Sequence, residues 1–251
     1  MAEQDGIFKI KGTLGGVTFY KTRDGYLARE KGGVSKKRIA SDPAFKRTRE
    51  NGQEFGTAAR YGKHLRNAIR YLLQHSADNR VVSRLHKELM HILKTDEVNS
   101  RGLRTPLNGE LRLLNGFEFN SRGLLTTTLF APFESVLDRT SGTLSVTLPD
   151  IIPSQMIKAP EGTTHFKIVS AAAELDFMEG ASVLTTDSTS EIAYDENLLP
   201  GVTLNTDVTA ASTLPLMQVL GVEFYQQING SFYMLNNGAF NALAIINIEK
   251  P

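Results

Sequence analysis

The sequence predicts a mainly β protein with a helical insert. This is an α+β fold in which an N-terminal β-meander and a helical hairpin precede a C-terminal antiparallel Ig-like β-sandwich. Residues 7–30 alternate apolar and polar side chains between glycine turns, and residues 43–94 carry apolar side chains at helical spacing. Beyond residue 123 the chain consists of short β-rich runs separated by turn residues, a pattern typical of a sandwich.

The meander is predicted from three short alternating runs. They centre on Phe8, Phe19 and Tyr26, with turns at Gly15-Gly16 and Asp24-Gly25. Three short strands bury little core of their own, so we expect the meander to pair with another sheet or with a second copy.

A basic connector follows over residues 31–42. It contains Lys36, Lys37 and Arg38 in succession. We interpret it as a solvated loop, with a contact to an anionic partner as the alternative.

Two helices are predicted next, over about residues 43–75 and 79–94. Ser41-Asp42-Pro43 supplies a capping residue and a proline at the first helical position. Gly52, Gly56 and Gly62 each weaken a helix by about 1 kcal/mol, so they predict either a close backbone contact or a break near Gly56. One face of the first helix is apolar and consists of Phe55, Ala58, Gly62, Leu65, Ile69 and Leu72.

A basic stripe borders that apolar face. It contains Arg47, Arg49, Arg60, Lys63, Arg66 and Arg70. A solvated face, a protein interface and a weak nucleic-acid contact are its interpretations, in that order, because no base-reading motif accompanies the charge.

The last long element is a hairpin over residues 220–249. Asn229-Gly230, the pair that most readily adopts a type I′ turn, separates two β-rich runs, and Asn237-Gly238 precedes a third. Further strands are predicted over residues 125–130, 143–148, 164–171, 174–177, 191–194 and 202–210.

The charge is divided along the chain. Residues 1–104 contain 22 Lys and Arg against 11 Asp and Glu, a net of +11, and residues 105–251 contain 6 against 16, a net of −10. We therefore predict a basic module over 1–104 and an acidic sandwich over 105–251. Opposite charges of this size favour attachment or head-to-tail contact between copies.

The composition argues against several function classes. There are no cysteines, so thiol catalysis and Cys-ligated metals are excluded. His86 and His91 in HKELMH are five residues apart, whereas a helical zinc motif needs four. We predict no catalytic residue, no metal site, no cofactor and no small-molecule substrate, and therefore not an enzyme.

No signal peptide or membrane span is expected from the sequence, because the N-terminus is polar and no apolar run approaches about 18 residues. The expected location is the cytoplasm or an assembled particle.

Four segments carry a resemblance that spans nearly the whole chain. They are KGTLGGVTFYKTRDGYLAREKGGV, DPAFKRTRENGQEFG, LLNGFEFN and GAFNALAIINI. Together they resemble an uncharacterised family of Bacteroidota proteins of similar length. The resemblance implies a shared architecture and a bacterial origin, and it implies no activity.

These observations favour a non-catalytic structural subunit of a repeating assembly, such as a phage-like particle, a contractile apparatus or a fibre. Its expected partners are further copies of itself and other assembly proteins. The alternative is a nucleic-acid-associated binding protein that uses the basic half. The predicted interaction residues are Phe8, Phe19, Lys36, Lys37, Arg47, Arg60, Lys63, Arg66 and Arg70.

Overall fold

The computed structural model describes residues 2–251, so Met1, the first residue of the predicted basic module, lies outside the described residues. The α-helices are α1 (Lys36–Ser41), α2 (Lys46–Ala68), α3 (Arg70–Ser76), α4 (Val81–Lys94), α5 (Leu125–Thr128) and α6 (Pro153–Met156). Short 3₁₀ turns cover Pro43–Phe45 and Leu111–Leu114, and Leu235–Gly238 forms a turn that contains left-handed residues. The strands are β1 (Ala2–Glu3), β2 (Gly12–Leu14), β3 (Val17–Thr22), β4 (Gly25–Glu30), β5 (Glu134–Asp138), β6 (Thr143–Leu148), β7 (His165–Leu175), β8 (Ser182–Ser188), β9 (Ile192–Ala193), β10 (Val202–Asn205), β11 (Leu216–Ile228), β12 (Ser231–Met234) and β13 (Ala242–Glu249).

The mainly β fold with a helical insert is confirmed, and the sheets are antiparallel. The chain divides into two compact units, Met1–Glu50 and Asn51–Pro251. This division differs from the boundary that the sequence predicted near residue 104. The predicted boundary followed a shift in charge, whereas the compact units follow apolar contacts.

Those contacts join the helices to the C-terminal sheet. Leu65 and Ile69 of the first long helix and Leu89 of α4 share one core with Val169 of β7 and Val219 of β11. All five side chains are buried, so the helical hairpin belongs to the same unit as the sheet.

The first unit contains a four-stranded sheet in the order β1-β4-β3-β2. The predicted turns are present, since Gly15, Gly16 and Gly25 all have positive φ. The first predicted strand is wrong: Phe8 and Ile10 lie before β2, outside the strands. The backbone N–H of Ile10 instead donates to the side-chain oxygen of Gln4, at 2.9 Å.

The basic connector is also more ordered than predicted. Residues 36–41 form α1, because the Ser35 hydroxyl accepts a hydrogen bond from the backbone N–H of Arg38 at 3.3 Å and caps the helix. Arg49 then ties α1 to the start of α2 by donating to the carbonyl oxygens of Ile39 and Asp42, at 2.7 and 2.9 Å.

The first long helix breaks at Ile69 rather than near Gly56. Ile69 has φ −109° and ψ 26°, which separates α2 from α3. A Cβ at Gly56 would meet no atom within 4 Å, whereas a Cβ at Gly62 would lie 3.1 Å from Cδ1 of Leu89. The predicted close contact therefore exists only at Gly62. Phe55, predicted on the apolar face, is 58% exposed.

The second unit is built on a six-stranded sheet. The order β12-β11-β7-β8 forms its main path, with β13 also paired to β11 and β9 to β7. β7 and β11 are almost continuously buried because helices cover one face of the sheet and a second β layer covers the other. That second layer contains the three-stranded sheet β10-β6-β5 and α5.

The structure corrects the predicted strand over residues 125–130. Leu125 begins α5, because the Glu118 carboxylate accepts hydrogen bonds from the backbone N–H groups of Leu125 and Thr126 and satisfies the start of the turn. In the second unit, the strands β5 and β8 were not predicted.

The C-terminal hairpin is confirmed. Asn229 and Gly230 have φ values of 51° and 80°, as a type I′ turn requires. β13 forms as expected and pairs with β11.

Candidate interaction surface

The sheet of the first unit has two distinct faces. Successive side chains of a strand point to opposite faces, and the register places Phe19 of β3 beside Ala28 of β4. Leu14 of β2 pairs with Val17 of β3, so both lie on that same face. We call the side chains of Leu14, Val17, Phe19, Tyr26 and Ala28 the Phe19 face.

Two cations border this apolar face. The Lys21 ammonium lies 5.4 Å from the centroid of the Tyr26 ring, and the Lys11 ammonium lies 6.0 Å from it. On the opposite face the Arg29 guanidinium lies 5.4 Å from the Tyr20 ring. Cation–π contacts of this kind keep the lysine heads beside the aromatic ring while their charge stays in water.

The first unit buries none of its own apolar side chains. Among residues 2–49, every side chain is exposed or half-buried. Leu14 is 70% exposed, while Val17, Phe19 and Tyr26 are half-buried. A stable domain normally packs two layers around a core, so a single sheet with an apolar face requires another surface to cover it.

A second apolar feature precedes the sheet. Ile7 is 96% exposed and Phe8 is 87% exposed, in the segment between β1 and β2. The Lys9 ammonium donates to the carbonyl oxygen of Gln4, within the same segment. Large side chains this exposed are typical of interaction sites.

The nine predicted interaction residues divide between the two units. Phe8, Phe19, Lys36, Lys37 and Arg47 belong to the first unit, and Arg60, Lys63, Arg66 and Arg70 belong to the second. Whether any of them contacts a partner stays a prediction.

Within the first unit, the charged members are exposed. Lys36 and Lys37 lie on α1, and Arg47 donates to the Glu50 carboxylate at 2.7 Å. Arg47 is therefore partly neutralised, whereas the two lysine ammonium groups have no ion-pair partner among residues 2–251.

The basic stripe of the second unit runs along α2 into α3. Arg60, Lys63 and Arg70 are exposed, while Arg66 is half-buried. Burial lowers the pKa of Arg66 from its usual high value.

The sequence interpretation missed Leu14, and it did not recognise that Val17, Phe19 and Tyr26 lie on one face. Alternation along β3 and β4 was visible in the sequence. The register that aligns the strands was not, because it depends on which residues the turns occupy.

The two units carry net charges of opposite sign. Residues 1–50 contain 12 Lys and Arg against 6 Asp and Glu, a net of +6, and residues 51–251 contain 16 against 21, a net of −5. The contrast is smaller than that across residue 104, because the basic helices belong to the second unit.

The histidines of HKELMH have different surroundings. The His86 ring lies 4.1 Å from the Phe55 ring, and burial lowers the pKa of His86. Nδ1 of His91 lies 3.4 Å from the Glu88 carboxylate. Within residues 2–251, no group of three or more His, Cys, Asp or Glu side chains is placed to hold a metal ion.

No protein-family model and no curated protein matches the chain. One solved structure, from work on the pH-induced modulation of Streptococcus parasanguinis adhesion by Fap1 fimbriae, has 13% identity and a TM-score of 0.21, and the match covers 45% of this chain and 78% of the other. A likeness this weak carries no argument about fold or function. The resemblance to a Bacteroidota family stays a prediction.

No helix in the described part of the chain combines the length and the apolar character that crossing a membrane requires.

Proposed function

We propose that this protein is a non-catalytic structural subunit of a repeating assembly, such as a phage-like particle, a contractile apparatus or a fibre. The observation that carries the proposal is the Phe19 face, an apolar sheet face on which no side chain is fully buried. In the assembly, this face docks on the acidic second unit of another copy.

Charge supports a second copy as the partner. The first unit has a net charge of +6 and the second a net charge of −5. The first unit of one copy therefore attracts the second unit of the next copy. A contact between two different patches is heterologous, and repeating it generates a ring or an open filament.

Apolar burial supplies most of the adhesion. Fully burying one large apolar side chain contributes about 1.5–3 kcal/mol, whereas an exposed ion pair contributes about 0–1 kcal/mol. The side chains of the Phe19 face therefore supply several kcal/mol, against a cost of association of about 4–15 kcal/mol. A single contact is weak by this reckoning, and a repeating assembly gains strength from many simultaneous contacts.

Size-exclusion chromatography with light scattering tests the proposal. Phe19→Asp places a charge in the centre of the apolar face and is expected to reduce the full chain to a monomer. Thr18→Asp is the matched control, since Thr18 is the neighbouring residue on the opposite face of β3. If both variants assemble as the unmodified chain does, the Phe19 face is not the contact.

Two further variants separate adhesion from steering. Replacing Lys36 and Lys37 of the first unit with Glu lowers the net positive charge of that unit, and it is expected to slow association and to flatten its dependence on salt. Deleting residues 1–30 is expected to abolish association. A deletion variant that assembles normally would show that the N-terminal strands serve only the structure of their own chain.

A nucleic-acid-associated binding protein is the second candidate function. The exposed ammonium groups of Lys36 and Lys37 favour it, because they are available to phosphate groups. We expect weak binding without sequence preference, falling steeply with salt, in a filter-binding titration. Tight, sequence-selective binding at high salt would place this function first.

A further inference from the structure

A cavity of about 580 Å³ lies in the second unit, where the segment around α5, the connection between α6 and β7, and the turn after β12 meet. Phe240 is 40% exposed and contributes aromatic surface to its lining, whereas Phe224 of β11 borders the cavity but is 1% exposed. Arg122, Lys158 and Glu161 contribute charged side chains. The volume falls within the range of about 300–1,000 Å³ that small-molecule sites occupy.

Two buried asparagines hold one wall of the cavity in place. The side-chain amide of Asn120 donates to the carbonyl oxygens of Ala239 and Asn241, at 3.1 and 2.8 Å, and its oxygen accepts from the backbone N–H of Arg122 at 3.1 Å. The Asn241 side-chain oxygen accepts from the backbone N–H of Phe224 at 3.0 Å. Asn120 and Asn241 are 2% and 0% exposed, so these bonds are shielded from water.

Backbone packing fixes the rest of the walls. A Cβ added to Gly123 would lie 2.3 Å from the carbonyl oxygen of Phe240, so only glycine allows these two segments to meet. On the other side, the backbone N–H of Lys158 donates to the carbonyl oxygen of Thr128 at 2.8 Å. The cavity is therefore formed before any ligand arrives.

The rim next to Phe240 has an unusual backbone. Asn236 and Asn237 have φ values of 49° and 51°, and Gly238 follows at 77°. Asparagine tolerates the left-handed region better than other residues that carry a side chain, so the local sequence accommodates this turn. Asn236 is one of the residues that line the cavity.

Several polar side chains that line the cavity have no polar partner in the part of the chain that the structure describes. Among residues 2–251, the side chains of Arg122, Thr128, Lys158, Glu161 and Asn236 have no hydrogen-bond or ion-pair partner. Thr128 is the strongest case because it is only 5% exposed. Arg122, Lys158, Glu161 and Asn236 are solvent-exposed, so a bound ligand engages them without breaking an existing contact within the protein.

We propose that this cavity binds a small organic monoanion that carries an aromatic or other apolar ring. Arg122 and Lys158 hold the acidic group, and Phe240 contacts the ring. Glu161 leaves the lining with one net positive charge, which favours a monoanion over a phosphate dianion. Thr128 and Asn236 supply hydrogen bonds that fix the orientation of the ligand. This inference is independent of the assembly proposed above.

Equilibrium dialysis of the full chain tests it with two probes of the same shape. 2-Naphthoate carries the charge, and 2-naphthamide is its neutral isostere. We expect the full chain to bind 2-naphthoate at least tenfold more tightly than 2-naphthamide. Arg122→Gln and Lys158→Gln are each expected to remove most of this difference, and Phe240→Ala is expected to weaken the binding of both probes.

Lys94→Gln is the matched control, because Lys94 is an exposed lysine of α4 that does not line the cavity. It is expected to leave the binding of both probes unchanged. Equal affinity for 2-naphthoate and 2-naphthamide would overturn the proposal. So would an affinity that Lys94→Gln lowers as much as Arg122→Gln and Lys158→Gln do.

Discussion

Phe224 is expected to be one of the side chains on which the stability of the second unit depends most. It is 1% exposed and pairs across the sheet with Phe166, which is 0% exposed. Phe224→Ala removes a buried ring and is expected to cost about 3–5 kcal/mol in the free energy of unfolding. For a unit of this size the loss corresponds to a fall of about 6–20 °C in Tm.

Phe232→Ala is the matched control on the same hairpin. Phe232 is 39% exposed, and its main aromatic neighbour is His165, with the two ring centroids 4.8 Å apart. An edge-to-face pair of this kind contributes about 0.5–1.5 kcal/mol beyond burial, so the control is expected to cost much less than Phe224→Ala.

Urea denaturation followed by circular dichroism measures both variants. The midpoint should fall far more for Phe224→Ala than for Phe232→Ala, with a similar slope. Equal losses, or a loss below about 1 kcal/mol for Phe224→Ala, would refute the placement of the core around β11.

Two further predictions concern charge and helix composition. Burial alone would raise the pKa of Asp78, but the hydrogen bonds that its carboxylate accepts, including one from Arg84 at 2.6 Å, lower it to about 2. The contribution of Asp78 to the free energy of unfolding should therefore be fully present above the unfolded pKa of about 4. It should fall by about 2 kcal/mol as the pH drops to about 2, and acid titration of Asp78→Asn should not show this fall. Gly56→Ala should stabilise α2 by about 0.5–1 kcal/mol in thermal unfolding, since nothing lies within 4 Å of its Cβ. Gly62→Ala should gain less, because Leu89 lies 3.1 Å from the added Cβ; an equal gain would contradict the packing of α2 on α4.

Local patterns predicted the turns and the helices well. Asn229-Gly230 specifies its turn because both residues accept positive φ at little cost. The apolar spacing of α4 places Leu85, Leu89 and Ile92 in the core, where all three are 0% exposed.

Features that depend on distant partners were predicted less well. The run over residues 125–130 is apolar and threonine-rich like a strand, yet the Glu118 carboxylate converts its start into a helical turn. β8 escaped prediction because Thr and Ser dominate its sequence, and only pairing with β7 makes it a strand.

The Phe19 face and the cavity also differ in how far the sequence predicts them. Alternation in β3 and β4 showed that each strand has an apolar side, but only the register places Val17, Phe19 and Tyr26 on one face. The residues that line the cavity, including Arg122, Lys158 and Phe224, come from segments up to about a hundred residues apart in the chain. No local motif therefore predicts the cavity.

Zero-length cross-linking tests the proposed assembly most directly. Equal amounts of the full chain in ¹⁴N and ¹⁵N form are mixed, and carbodiimide couples lysine ammonium groups to nearby carboxylates. A contact between copies through the Phe19 face should give mixed-isotope peptides that join Lys11 or Lys21, beside that face, to acidic residues within 51–251. If every cross-link of these two lysines joins peptides of the same isotope, their contacts lie within one chain, and the proposed contact between copies is contradicted.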